Sequence, residues 1–129
     1  MITLYLLFNH QFTPDQEADA RRSLGVERIV SLPADLQDLW SNIPPDRSAI
    51  RDYLQPIRDW LQQEATPGDY VLIQGDFGAC WLMARFAFKQ SLVPVYSTTR
   101  REAEEEPGPD GTVRLTHHFQ HQIFRKYGV

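Results

Sequence analysis

The chain has 129 residues, 42% of them hydrophobic and 23% charged. That size and balance predict one globular domain able to bury its own core. The net charge of −4 argues against a broad basic face for duplex nucleic acid, yet leaves room for a local phosphate pocket.

The opening run Met1–Phe8 is apolar but has no basic leader, and it is too short to span a bilayer; no signal peptide is expected. Residues 2–8 read as a buried first strand, suited to the middle of a parallel sheet. Thr13, Pro14 and Gln16 then predict a helix start with a capping box. That helix should end near Leu24, with Gly25 just past it. Arg28–Ser31 is a short strand candidate. Pro33–Trp40 is a short helix, ended by Ser41–Pro45.

Ile50, Tyr53, Leu54, Ile57, Trp60 and Leu61 recur at helical spacing, predicting a longer helix from about Asp46 to Glu64 that Pro56 should kink or split. Thr66–Asp69 is a turn and Tyr70–Gln74 a third strand. From Gly78 to about Lys89 runs a helix apolar nearly all round, reading as a core helix or a subunit interface. The single cysteine, Cys80, lies in it and reads as a small buried hydrophobe; no internal disulfide is possible, which fits a reducing cytoplasm. Leu92–Tyr96 is a fourth strand. Glu106–Gly111 marks a loop or hairpin turn between two extended segments.

Strands alternating with helices imply a doubly wound, mostly parallel α/β sheet with a C-terminal extended or hairpin segment. In such folds ligands sit beyond the carboxyl ends of the strands. The first strand delivers Asn9, His10 and Gln11 there. The third delivers Gln74, Gly75, Asp76, Phe77 and Gly78, and the fourth Ser97, Thr98, Thr99, Arg100 and Arg101. Imidazole, amides, hydroxyls, guanidinium groups and free backbone N–H groups suit a phosphate ligand carrying a base or ribose.

Each stretch also has a plainer reading. The glycine-flanked turn lets backbone approach a ligand at a helix N-terminus, or is simply a turn in which Asp76 caps the helix. Its spacing is neither a Walker loop nor a dinucleotide fingerprint. Ser97–Arg101 binds phosphate or opens the solvated acidic run Glu102–Glu106. His10 is a general base near neutral pH or a structural histidine. Leu39–Pro45 is a rigid connector or, through Ser41 and Asn42, a loop over the pocket. His117, His118 and His121 lack the spacing of a zinc site, so no metal and no cofactor are expected. Phe119, Phe124 and Tyr127 read as packing residues, and Arg125 as a further phosphate contact.

Five stretches in order, "LFNHQFT" (Leu7–Thr13), "LWSNIPP" (Leu39–Pro45), "GDYVLIQGDFGA" (Gly68–Ala79), "VPVYSTTRR" (Val93–Arg101) and "FQHQIFRKY" (Phe119–Tyr127), resemble the small CRISPR-associated proteins of the Csx group found with type III systems, specifically a stand-alone ring nuclease family. The resemblance covers nearly the whole chain. It implies a Rossmann-like core related to CARF domains, a homodimer, and a cyclic oligoadenylate substrate, most simply the four-adenylate ring, whose degradation switches off antiviral effectors. Metal-independent cleavage would use the ribose 2′-hydroxyl as nucleophile, with phosphate charge stabilised by the protein. On this expectation His10 deprotonates the hydroxyl, Arg100 stabilises the phosphate, and Gln74–Phe77 hold ribose and base, Phe77 by stacking. The alternatives are a protein that sequesters the same messenger without cutting it and an unrelated regulatory subunit.

Overall fold

The computed structural model describes residues 1–129, with side chains for all but His117. It is a mixed α/β structure with a five-stranded sheet and four helices. Strand β1 is Thr3–Leu7, buried along its whole length. Helix α1 is Pro14–Ser23. It starts at the expected capping box: the Thr13 hydroxyl accepts from the Gln16 amide, and the Gln16 side chain accepts from the Thr13 amide. Gly25, at φ +67°, follows the Leu24 cap, a left-handed position that glycine takes without strain. Strand β2 is Arg28–Ser31 and helix α2 is Ala34–Ser41.

Helix α3 spans only Gln55–Glu64, which corrects the expected start near Asp46 and the expected kink. Pro56 sits in the first turn of α3, where a missing N–H costs nothing, so it begins the helix and does not bend it. The apolar residues upstream belong to turns that still pack on the core, since Leu54 is fully buried and Ile50 and Tyr53 lie against it.

Strand β3 is Tyr70–Ile73 and helix α4 is Phe77–Lys89. Strand β4 runs from Val93 to Pro107 and β5 from Val113 to Lys126. This corrects the placement of Ser97–Arg101 at a strand end: these residues lie inside β4, whose hydrogen bonds pass from β3 to β5. Pairing with β3 stops at Leu72–Val95, while pairing with β5 continues to Pro107–Val113, broken by a bulge between Ser97 and Thr99. The polar composition of this stretch reflects an exposed two-stranded ribbon, not a loop.

The strand order is β2-β1-β3-β4-β5. The first four strands are parallel and β5 is antiparallel to β4. Alternation along β1 sorts the core in two. Leu4, Leu6 and Phe8 meet Ala20 of α1, Val26, Leu72 and Val95 on one face. Tyr5 and Leu7 meet Trp40 of α2, Ile57 and Leu61 of α3, and Ala79, Met83 and Ala87 of α4 on the other. Helix α4 is therefore a core helix on one side only; Phe77, Trp81 and Phe88 are exposed. Among the described residues no helix is long and apolar enough to cross a membrane.

The amino end of the sheet is fixed by buried Asp69. One carboxylate oxygen accepts from the Thr3 amide at 3.1 Å, and the other accepts from the amide and hydroxyl of Thr66 at 3.0 and 3.2 Å. Replacing it by alanine strands a buried N–H at the start of β1. Asp69→Ala should therefore lower unfolding free energy by about 1–3 kcal/mol in urea titration. A loss within error of zero would contradict this role.

Candidate functional site

The parallel strands carry their carboxyl ends to one edge, and the direction of winding reverses between β1 and β3, the crevice where open α/β sheets bind ligands. The loop after β3 is held there from three sides by a single residue. The Gln74 amide donates to the Leu7 carbonyl oxygen of β1 at 3.0 Å. Its own carbonyl oxygen accepts from the Trp40 indole at 3.0 Å. Its side-chain oxygen accepts from the Ser97 amide of β4 at 2.7 Å, a donor that β3 is too short to meet. Gly75 then lies flat on the Trp40 indole; a Cβ at this position would come within 3.2 Å of the ring. Asp76 caps α4, accepting from the Ala79 amide at 3.0 Å, so the plainer reading of that carboxylate accounts for it.

Beside this loop opens a cavity of about 590 Å³, between the first half of α4 and the ends of β4 and β5. Its walls include Gln74, Gly75 and Phe77 from the loop, Cys80 and Trp81 from α4, and Tyr96, Lys126 and Tyr127 from the ribbon. Phe77 is 95% exposed, an aromatic face available to a ligand. The Tyr127 hydroxyl donates to the Ile73 carbonyl oxygen, and its ring meets Tyr96 edge-on at 5.0 Å. Burial pushes the Tyr127 hydroxyl and the Cys80 thiol above their ordinary values; both are therefore neutral at physiological pH. Cys80 is half-buried on the cavity wall, not fully buried as its apolar surroundings in the chain predict.

The sequence-selected residues divide around this cavity. Gln74, Gly75 and Phe77 line it. Arg125 reaches it indirectly, donating to the Tyr96 hydroxyl at 3.0 Å with its guanidinium over the Tyr96 ring. Asn9, His10 and Gln11 are exposed beyond β1 and outside the lining, the His10 ring resting edge-on against Phe8. Gly78 lies in the first turn of α4, where a Cβ would find only ordinary contacts. The Thr98 hydroxyl is engaged by the amide and carbonyl of Ile123 at the bulge. Thr99 lines a smaller cavity on the α1 side. Arg100 and Arg101 stand exposed on the ribbon, Arg101 over the Phe119 ring at 6.0 Å. The Leu39–Pro45 stretch is a connector: Tyr53 donates to the Leu39 and Asn42 carbonyl oxygens, and Asn42 donates back to Asp38.

Sequence reasoning missed a buried network behind the loop. Asp19 of α1 accepts from His121 Nε2 at 2.7 Å, and His121 Nδ1 shares a hydrogen bond with Ser97 Oγ at 2.5 Å. Ser97 Oγ also accepts from Gln16 at 3.3 Å. With a proton on Nε2, His121 donates to Asp19 while Nδ1 and the Ser97 hydroxyl stay paired. These are the residue types of a nucleophilic triad, but Ser97 lines neither small cavity beside His121 and its oxygen is already engaged. The network instead fixes the base of the ribbon and, through the Ser97 amide, Gln74. Asp19 and His121 are 102 residues apart, so no local spacing could reveal the pair. Among the described residues no cluster of three or more His, Cys, Asp or Glu side chains could hold a metal ion.

The fold and site define a mixed α/β protein with an aromatic-walled cavity at the carboxyl edge of its sheet. The chain belongs to the family described as the uncharacterized protein MJ1673 family, whose model matches residues 2–125. A relative of that description from Methanocaldococcus jannaschii is 50% identical over 127 residues, covering 98% of either chain. No solved structure matches.

Two measurements probe this arrangement. Gln74→Ala should cost about 1–3 kcal/mol, because the buried Ser97 amide loses its acceptor; an unchanged urea midpoint would remove Gln74 from its central place. Burial pushes the Asp19 carboxyl up, but hydrogen bonds from Ser23 and His121, with the charges of His121 and Arg22, more than offset it and hold the group below 3.8. A depressed folded value stabilises the protein above pH 3.8 and is lost as pH falls through the folded value. Wild-type stability should thus drop below about pH 4, and Asp19→Asn should flatten that drop. Parallel acid profiles would contradict it.

Proposed function

We propose that this protein is a Rossmann-like, CARF-related ring nuclease of type III CRISPR defence. It acts in the cytoplasm as a homodimer, binding a cyclic oligoadenylate at the carboxyl edge of the sheet and opening it without a metal. The observation that carries the reading is the cavity beside Gln74–Phe77. Exposed Phe77, with Trp81, Tyr96 and Tyr127, offers faces for stacking adenine, while Lys126 and nearby Arg125 offer positive charge for phosphate. The five stretches that resemble the ring nucleases fall largely on the elements that meet at this edge.

In the proposed reaction the ribose 2′-oxygen attacks the adjacent phosphorus, and the bond from phosphorus to the 5′-oxygen breaks. The 2′-proton leaves to a base, and the departing 5′-oxygen gains a proton. The product is a linear oligoadenylate ending in a 2′,3′-cyclic phosphate. His10 takes the base role and Arg100 the phosphate role once the ring lies across two protomers, since a symmetric ring suits a two-fold site. The ribbon supports a dimer: Val113, Leu115 and Phe119 of β5 are exposed, and a second copy would cover them.

One observation favours the second reading, capture without cleavage. His10 and Arg100 lie outside the cavity lining, and burial keeps the tyrosine and cysteine on its wall protonated near neutral pH, so neither is available to act as a base.

Incubating the protein with cyclic tetra-adenylate in EDTA and resolving the products separates the two. Cleavage to linear species supports the nuclease. An intact ring recovered in stoichiometric complex supports capture, and no binding at all rejects both. Arg100→Ala should reduce cleavage by about tenfold or more at unchanged stability, the scale of one lost charge-assisted contact. His10→Ala should slow cleavage more than it weakens binding.

A further inference from the structure

A second cavity, of about 250 Å³, opens between α3 and α4 and is lined by Arg51, Arg58, Leu82, Arg85, Phe86 and Lys89. Four of the six are cations and none is an acid. This is unexpected in a chain with 17 acidic and 13 basic residues. Among the described residues, the ion pairs within 4.0 Å involve Arg21, Arg22, His118 and His121. None of the four cations around this cavity has a carboxylate at that range. Like charges gathered without a paired carboxylate repel one another, a cost that the fold or a ligand must offset.

Arg58 is the anchor. It is only 8% exposed, a rare state for an arginine without an acidic partner. One terminal nitrogen makes both of its hydrogen bonds, to the Arg51 carbonyl oxygen and Gln55 Oε1, each at 2.6 Å. Those acceptors are neutral, so they orient the guanidinium fork without cancelling its charge. Burial, and then the Arg51 charge, lower its proton affinity, against the smaller opposing effects of Asp52 and Asp59. Arg85 and Lys89 are exposed and project from successive turns of α4. Arg85 also lies over the Trp81 ring at 4.7 Å, which steadies its position.

We propose that this cavity is a binding site for a small, multiply charged phosphate compound, held by the Arg58 fork and by Arg51, Arg85 and Lys89. Leu82 and Phe86 supply an apolar wall for the body of such a ligand. The volume lies below the range usual for drug-sized ligands, so pyrophosphate or a short phosphate ester fits better than a whole oligonucleotide. The site is distinct from the aromatic cavity after β3 and does not rest on the nuclease reading.

Inorganic pyrophosphate is the probe, titrated calorimetrically into the full chain against sodium chloride of matched ionic strength. Arg58→Ala risks the fold through its bonds to Arg51 and Gln55, so the diagnostic variant is Arg85→Gln with Lys89→Gln, both exposed. Wild-type protein should bind one equivalent saturably, and the double variant should bind at least about tenfold more weakly at an unchanged melting temperature. A matched chloride control that reproduces the heats, no saturable binding, or equal affinity in the double variant would overturn the proposal.

Discussion

The carboxyl edge of the sheet depends on one side-chain amide. Strand β4 continues past the last residue that β3 can pair, leaving the Ser97 amide without a strand partner, and the Gln74 side chain supplies the missing acceptor. The backbone of the same residue ties β1 to the loop and receives the Trp40 indole. One glutamine therefore extends the ladder by a rung, closes the gap between three strands and presents Gly75 to the cavity. Buried polar groups coupled in this way polarise one another when satisfied and are costly when any one is removed.

Behind that hub the Asp19–His121–Ser97 network does for the ribbon what Gln74 does for the loop. It joins α1 on one face of the sheet to the strand pair that walls the cavity on the other. A bulge between Ser97 and Thr99 shifts the register of β4 while its pairing with β5 continues on either side, the local kink that one extra residue imposes. The two cavities then sit on different sides of α4. The aromatic one takes its first turns and the ribbon; the cationic one takes its later turns and α3. A single helix with small residues inward, at Ala79, Ala84 and Ala87, packs closely on the sheet and still offers two chemically different outer faces.

Much of the local structure was legible from the chain. The capping box at Thr13, the glycine after α1, the buried first strand and the cap at Asp76 are short-range signals, settled by residues within four positions of each other. Pro56 was misread because helical spacing upstream of it comes from turns that happen to bury Leu54; periodicity does not report hydrogen bonding. The length of β4 was hidden because an exposed ribbon needs no apolar alternation, so Ser97–Glu106 carries the composition of a loop. The partner of Asp19 and the cationic cavity were invisible for a different reason: the first pair closes over 102 positions, and the cavity joins α4 to α3 and the turn before it, whose basic residues each look like ordinary solvated charges. The loop residues Gln74, Gly75 and Phe77 come to the cavity, while His10 and Arg100 stand outside its lining.

The proposed function requires that adenylate enter the aromatic cavity beside Gln74. The three tryptophans give a direct reading in an amide spectrum: Trp81 is on the cavity wall, Trp40 lies beneath Gly75 and Trp60 packs on Tyr5 away from the site. On titration with cyclic tetra-adenylate the Trp81 indole signal should move most, Trp40 less, and Trp60 not at all, together with the amides of Gln74, Gly75 and Phe77. Shifts absent from Trp81 and those loop amides, or centred on residues elsewhere, would contradict it.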